Sequence, residues 1–148
     1  MLTYLAALAL AASGRRPTPP TNWPTCRLRH RAQSFARLED LPQLIQDRVR
    51  EDVREIAGPG QPFESTDAGH NGPGRRFLRG LHAGRLWIIW YEHGGRGLHR
   101  HVLAYGVGVS GFPGRPTPML EANFVGSNPC RDTDAILDGV RSAASGEM

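Results

Sequence analysis

The chain lacks lysine, and all 18 of its basic residues are therefore arginines. It has only two cysteines, and none of its apolar runs reaches the roughly 20 residues that a membrane-spanning helix requires. It also lacks the CxxC, phosphate-loop, dinucleotide-binding, HExxH and GxSxG patterns of well-known enzymes and metal proteins. Because no familiar catalytic motif is present, the function has to be sought in the placement of individual side chains.

The positive charge is unevenly distributed along the chain. Residues 14–37 contain six arginines and no acidic residue, whereas residues 38–148 contain 12 arginines and all 14 acidic residues. A domain that reads nucleic acid carries its positive charge on the folded surface, and we therefore expect no nucleic-acid partner. The basic segment can contact anionic lipid by simple electrostatics. We expect membrane contact only there or through the N-terminal signal segment.

The N-terminal residues predict export. Residues 1–13 form an apolar stretch that ends in small residues, which is typical of a secretory signal peptide. Residues 14–37 contain four prolines and predict a flexible lead, and residues 38–148 predict a single domain. We expect a periplasmic or extracellular protein in which Cys26 and Cys130 form a disulfide. Two unpaired thiols are the alternative if the chain is not exported.

The charged segment from residue 40 to 57 predicts one long N-terminal helix. Apolar residues recur at helical spacing along one side, and Pro42 suits the first turn. Residues 119–125 alternate like a strand, and a short helix beginning at Asp132 or Thr133 follows. Together with three strands between residues 75 and 106, these elements predict an α+β fold. The long helix packs on one face of a four-stranded antiparallel sheet, and the short helix is C-terminal.

The register of the three central strands depends on where their turns lie. Glycine-containing turns at 83–84 and 94–97 place Glu92 opposite both Arg75 and His99, and Trp90 opposite His101. In this register, six side chains of chemical interest share the sheet face that the long helix leaves open. They are Arg75, Arg79, Trp90, Glu92, His99 and His101.

This face favours a binding role without catalysis. Tryptophan, tyrosine and arginine carry much of the binding energy at protein interfaces. We therefore expect a non-catalytic binding domain that needs no cofactor and whose partner is a protein or a small-molecule ligand.

An alternative is a small secreted hydrolase. Glu92 as a base, His99 as an acid, and Arg75 with Arg79 as oxyanion ligands are the groups that phosphodiester transesterification needs. A helix followed by an antiparallel sheet with Glu, Arg and His loosely resembles the small secreted microbial ribonucleases. The order differs from that family, because here the arginines precede the glutamate and both histidines lie on the strand directly after it.

A second alternative is metal binding by His99-x-His101. Two imidazoles on one strand face can ligate a metal, and Glu92, with or without His70, could complete a set of three or four ligands. In the predicted register, two arginines on the same face would repel a cation. We therefore regard the pair as weak candidate ligands.

Overall fold

The structure is a computed structural model that describes residues 26–66, 72–111, 114–126 and 128–141. The predicted signal segment and the lead up to residue 25 lie outside the described residues. The elements in chain order are β1 (Gln33–Phe35), a 3-10 turn (Leu38–Asp40), α1 (Gln43–Val53), β2 (Arg75–Ala83), β3 (Leu86–His93), β4 (His99–Ser110), β5 (Arg115–Gly126) and α2 (Pro129–Leu137). The strands form one antiparallel sheet in the order β1-β2-β3-β4-β5. No described helix is both long and apolar enough to cross a membrane.

The predicted architecture is wrong, because the sheet has five strands and no long N-terminal helix is present among the described residues. The predicted helix 40–57 is reduced to the 11 residues of α1. The chain leaves the helix at Arg54, which has a φ of 60°. Ala57 then pairs with β2, donating its N–H to Arg75 O and accepting from Phe77 N–H, both at 2.9 Å. Pairing with the sheet thus replaces the last predicted helical turn.

The first strand lies within the predicted flexible lead. β1 pairs with β2 from Gln33 opposite His82 to Phe35 opposite Gly80. All four prolines of the lead precede residue 25, so nothing prevents residues 33–35 from joining the sheet. The division of the chain into signal, lead and single domain stays a prediction.

The predicted disulfide between Cys26 and Cys130 is confirmed, with the two Cα atoms 6.0 Å apart. It joins the chain before β1 to the first turn of α2. Arg29 strengthens this connection, because its backbone N–H donates to Asp134 Oδ1 at 3.0 Å. A disulfide is compatible with an exported protein.

Both sides of the sheet are covered, and we call them the α1 face and the α2 face after the helix that packs on each. The buried cluster of the α1 face is Leu38, Leu41, Ile45, Val49, Val53, Phe77, Ile89, Tyr91, Leu103 and Tyr105. The buried cluster of the α2 face is Leu78, Leu81, Leu86, Ile88, Trp90, Val102, Ala104, Ala122, Cys130 and Ile136. The sequence predicted that the face carrying Trp90 stays open to solvent. This prediction is wrong, because α2 covers that face.

The predicted register of β3 and β4 is wrong by one residue. His93 lies opposite His99, and Tyr91 lies opposite His101, because the turn spans five residues, 94–98, rather than four. A shift of one residue moves every side chain of a strand to the other face of the sheet. The predicted register of β2 and β3 is wrong as well, because their turn lies at residues 84–85, with Ala83 opposite Leu86. A bulge in β2 at Leu78 then brings Arg76 opposite Glu92.

Candidate functional site

The six side chains singled out in the sequence do not share one face. Strand alternation and the observed register place Arg79, Trp90 and Glu92 on the α2 face. They place Arg75, His99 and His101 on the α1 face, in line with Tyr91 and Phe77.

Trp90 and Glu92 of the α2-face group are buried and engaged in structural contacts, and Arg79 is half-buried. Trp90 is 0% exposed, and its indole N–H donates to Thr133 Oγ1 at 2.8 Å. Glu92 is 1% exposed and accepts a hydrogen bond from Arg76 Nε at 2.6 Å. The Arg76 guanidinium is in turn covered by the ring of Phe63, 4.3 Å away. The predicted combination of glutamate, histidine and two arginines for catalysis is therefore not assembled.

The α1 face carries a cluster of three histidines at the end of the β3–β4 hairpin. His93 ends β3, and directly opposite it His99 begins β4, with His101 two residues further along the same strand face. One ring nitrogen from each histidine lies within 4.8 Å of the other two. All three side chains are half-buried, and both ring nitrogens of His101 are covered from solvent.

The turn between the two strands is held in place by the loop that precedes β2. Gly94 N–H donates to Gly74 O at 2.9 Å, and Gly95 N–H donates to Ser65 O at 3.4 Å. Gly94 must be glycine, because a Cβ there would come within 2.6 Å of the Ser65 Cα. Gly95 has a φ of 134°, a conformation that other residues rarely adopt. These contacts set the turn length and thereby place His93 opposite His99.

Neighbouring groups orient the imidazoles of His99 and His101. His99 Nδ1 lies 2.9 Å from Gly97 O, and because a carbonyl only accepts, the proton of the neutral ring belongs on Nδ1. The lone pair is then on Nε2. His101 is stacked on Tyr91, with ring centroids 4.6 Å apart and an interplanar angle of 6°. Supporting contacts of this kind commonly fix the tautomer and orientation of metal-binding histidines.

The environment favours the neutral form of His101. Burial lowers its pKa from 6.5 to about 4, with help from the charges of His99, His93 and Arg75, while the Asn123 side chain acts in the opposite direction. Among the described residues, neither ring nitrogen of His101 has a hydrogen-bond partner of ordinary geometry. A neutral imidazole in this position has an available lone pair, which is the form that binds metals.

The geometry of the cluster is compatible with a metal ion after small side-chain movements. Zn–N bonds of about 2.0–2.1 Å place the nitrogens of a tetrahedral site about 3.3 Å apart. Nitrogens now within 4.8 Å of one another would have to approach by up to about 1.5 Å, which rotation of the rings can supply. Three protein ligands leave the fourth tetrahedral position open.

His93 is the member of the histidine cluster that sequence reasoning missed. The sequence signal is the spacing His93-x5-His99-x-His101 across a glycine-rich turn. It indicates a cluster only if the turn has an odd number of residues, because only then do His93 and His99 lie on the same face of the sheet. His70, the other histidine considered as a ligand, lies outside the described residues.

A shallow surface depression beside the C-terminal end of α1, lined among others by Arg50 and Glu55, includes none of the clustered histidines.

Comparisons of the chain with protein-family models, with curated proteins and with solved structures found no significant match.

Proposed function

We propose that this protein binds a divalent transition-metal ion, best matched by Zn²⁺, through His93, His99 and His101. The observation that carries the proposal is the convergence of three imidazole nitrogens within 4.8 Å on two neighbouring strands. Imidazole suits zinc, copper and nickel, and three histidines with one open position is a ligand set that zinc proteins use. Metal binding is a specific form of the broader binding role expected from the sequence, which stays a prediction.

Ring stacking alone is the competing explanation for the histidines, and His82 offers a comparison within the same sheet. His82 is stacked on Trp87, with ring centroids 4.1 Å apart and an interplanar angle of 17°. It does not belong to the three-histidine group. A histidine packed against an aromatic ring therefore needs no second or third imidazole beside it. The convergence of three at the hairpin end favours a ligand-binding role.

The experiment is a titration of chelator-treated protein with Zn²⁺, followed by calorimetry and by competition with a chromophoric chelator. We expect one ion per chain. His93→Gln, His99→Gln and His101→Gln should each weaken binding by more than the roughly 10–100-fold that loss of a supporting group typically costs. Substitution with Co²⁺ should produce visible absorption bands from nitrogen ligation.

The matched control is His82→Gln, which removes a stacked strand histidine outside the cluster and should leave Zn²⁺ affinity unchanged. Equal weakening by His82→Gln and by the cluster variants would indicate binding elsewhere or loss of folding. Absence of binding to the unsubstituted protein would refute the proposal.

We also propose that the protein functions outside the cytoplasm, in the periplasm or the medium. The Cys26–Cys130 disulfide supports this compartment, because such bonds persist in oxidising environments. The apolar residues 1–13 support it independently. N-terminal sequencing of exported protein should find a first residue near Ala12 to Gly14, and recovery of the chain with Met1 intact would contradict cleavage.

A further inference from the structure

We propose that the open position on the metal is taken by a carboxylate group of a bound ligand, whose second oxygen is held by Arg75. This inference rests on the proposed function, because it requires the metal ion at the three histidines. The geometry that leads to it is the row formed by Arg75 on β2, His93 on β3 and His99 on β4. Register pairing places these residues directly opposite one another across three neighbouring strands.

Arg75 lies beside the cluster, because register pairing places it directly opposite His93 on the same sheet face. The side chain is half-buried. No described carboxylate forms an ion pair with it, whereas the adjacent Arg76 is paired with Glu92. The site therefore already contains a positive charge before any metal enters.

The charges around a bound metal would be unbalanced without an anion. Three neutral imidazoles leave the full charge of a divalent ion, and Arg75 adds one more positive charge in a partly shielded site. Asp52 on α1, which contacts Tyr105 of the same sheet face, is already engaged. It accepts from Arg48 Nε at 3.0 Å and from the Tyr105 hydroxyl at 3.0 Å. Since like charges in low dielectric repel strongly, metal binding should be stabilised by an anion supplied from outside.

A carboxylate fits this requirement better than a monatomic anion. The guanidinium group presents N–H donors in a planar fork that matches carboxylate oxygens. Neighbouring strands are about 4.8 Å apart, so Arg75 and a metal ion beside His93 are separated by roughly the span that one carboxylate bridges. One oxygen can bind the metal while the guanidinium donates to the other. Chloride can occupy only one of the two positions.

The experiment measures Co²⁺ and Zn²⁺ affinity in acetate and in chloride at equal ionic strength, with the unsubstituted protein, Arg75→Gln and Arg75→Lys. Acetate should raise metal affinity at least about 5-fold, the lower range of typical coupling between sites, and should shift the Co²⁺ absorption bands. In Arg75→Gln the metal should still bind, and most of the acetate effect should be lost. Arg75→Lys, which keeps the charge without the fork, should retain an intermediate effect.

Arg96→Gln is the matched control, because it removes one arginine charge from the exposed hairpin turn and should preserve the acetate effect. A second arm replaces acetate by a short peptide with a free or an amidated carboxyl end. If the peptide with a free carboxyl end raises metal affinity as much as acetate does, the site recognises the carboxylate alone. If it raises metal affinity more than acetate does, the site recognises a peptide C-terminus.

The possible failures are distinguishable. An acetate effect of equal size in Arg75→Gln and the unsubstituted protein, or no acetate effect at all while metal still binds, would overturn the inference and leave the metal site standing. Absence of metal binding in every buffer would overturn the proposed function, and the inference with it.

Discussion

Tyr91 and His101 lie on opposite strands and stack almost in parallel, with ring centroids 4.6 Å apart and an interplanar angle of 6°. Tyr91 is buried, and burial raises the pKa of its hydroxyl to about 12. The phenol ring therefore belongs to the α1-face core, while the imidazole belongs to the histidine cluster. The pair connects the packing of the domain to the candidate metal site, because the position of one ring limits the positions open to the other.

Replacing the Tyr91 ring should weaken metal binding through the orientation of His101. We expect Tyr91→Leu to lower Zn²⁺ affinity about 10-fold, the lower range for loss of a supporting group. Tyr91→Phe keeps the stacking surface and should change affinity little. Chelator competition measures both variants. Equal affinities for Tyr91→Leu and Tyr91→Phe would show that the ring has no positioning role.

The metal-free protein should lose stability as the pH falls from about 6.5 to about 4. Burial, aided by the charges of His99, His93 and Arg75, lowers the pKa of His101 from 6.5 to about 4. Between these values the unfolded chain binds more protons at this position than the folded chain does. The free energy of unfolding therefore rises with pH in this window, and it falls when the protein is acidified.

Thermal unfolding across this window, in the presence of a chelator, checks the effect. His101→Gln should show a flatter dependence of the melting temperature on pH than the unsubstituted protein. His82→Gln serves as the control and should keep the original slope. Parallel curves for His101→Gln and the unsubstituted protein would contradict the prediction.

Local chemistry predicted a substantial part of this molecule. Glycines at both turns indicated the hairpins, and the apolar stripe of α1 indicated a helix that packs on the sheet. The pairing of Cys26 with Cys130 followed from their number and from the expected compartment. Each of these inferences depends on few residues that are close in the sequence or on a simple count.

Strand register could not be predicted in the same way, because it depends on contacts between distant segments. Four- and five-residue turns are both compatible with the glycines at 94–97, and the choice depends on the fit of Gly94 against Ser65. The bulge at Leu78 is likewise not evident locally. The position of the β2–β3 turn at residues 84–85 and this bulge decide that Arg76 rather than Arg75 meets Glu92. The five-residue turn decides that His93 joins His99 and His101.

Removing only one partner of the Arg76–Glu92 ion pair should strongly destabilise the protein. Glu92 is 1% exposed, and the Arg76 side chain is 15% exposed. Arg76→Met would leave a buried carboxylate uncompensated, and we expect a loss of about 3–5 kcal/mol in the free energy of unfolding.

A double-mutant cycle separates the pair from its environment. Arg76→Met combined with Glu92→Leu removes both charges and should recover most of the stability lost in Arg76→Met, because apolar replacements of buried pairs are often neutral. Urea unfolding at neutral pH gives the four free energies. Additive losses in the double variant would mean that the two side chains stabilise the fold independently.

Removing the disulfide should destabilise the protein without altering the metal site. Cys26 and Cys130 are separated by 104 residues, and a loop of this size corresponds to at most about 4.7 kcal/mol of chain entropy. The measured loss in Cys26→Ser/Cys130→Ser should be smaller, about 2–4 kcal/mol, because the contact of Arg29 with Asp134 still holds the N-terminal segment against α2. The bond lies with the α2-face cluster, whereas the histidines are on the α1 face, so Zn²⁺ affinity should remain unchanged.

Urea unfolding with and without a reductant measures the loss in the unsubstituted protein, and the reduced protein should match the double variant. An unchanged unfolding midpoint in both would mean that the segment around Cys26 does not belong to the cooperative unit of the fold.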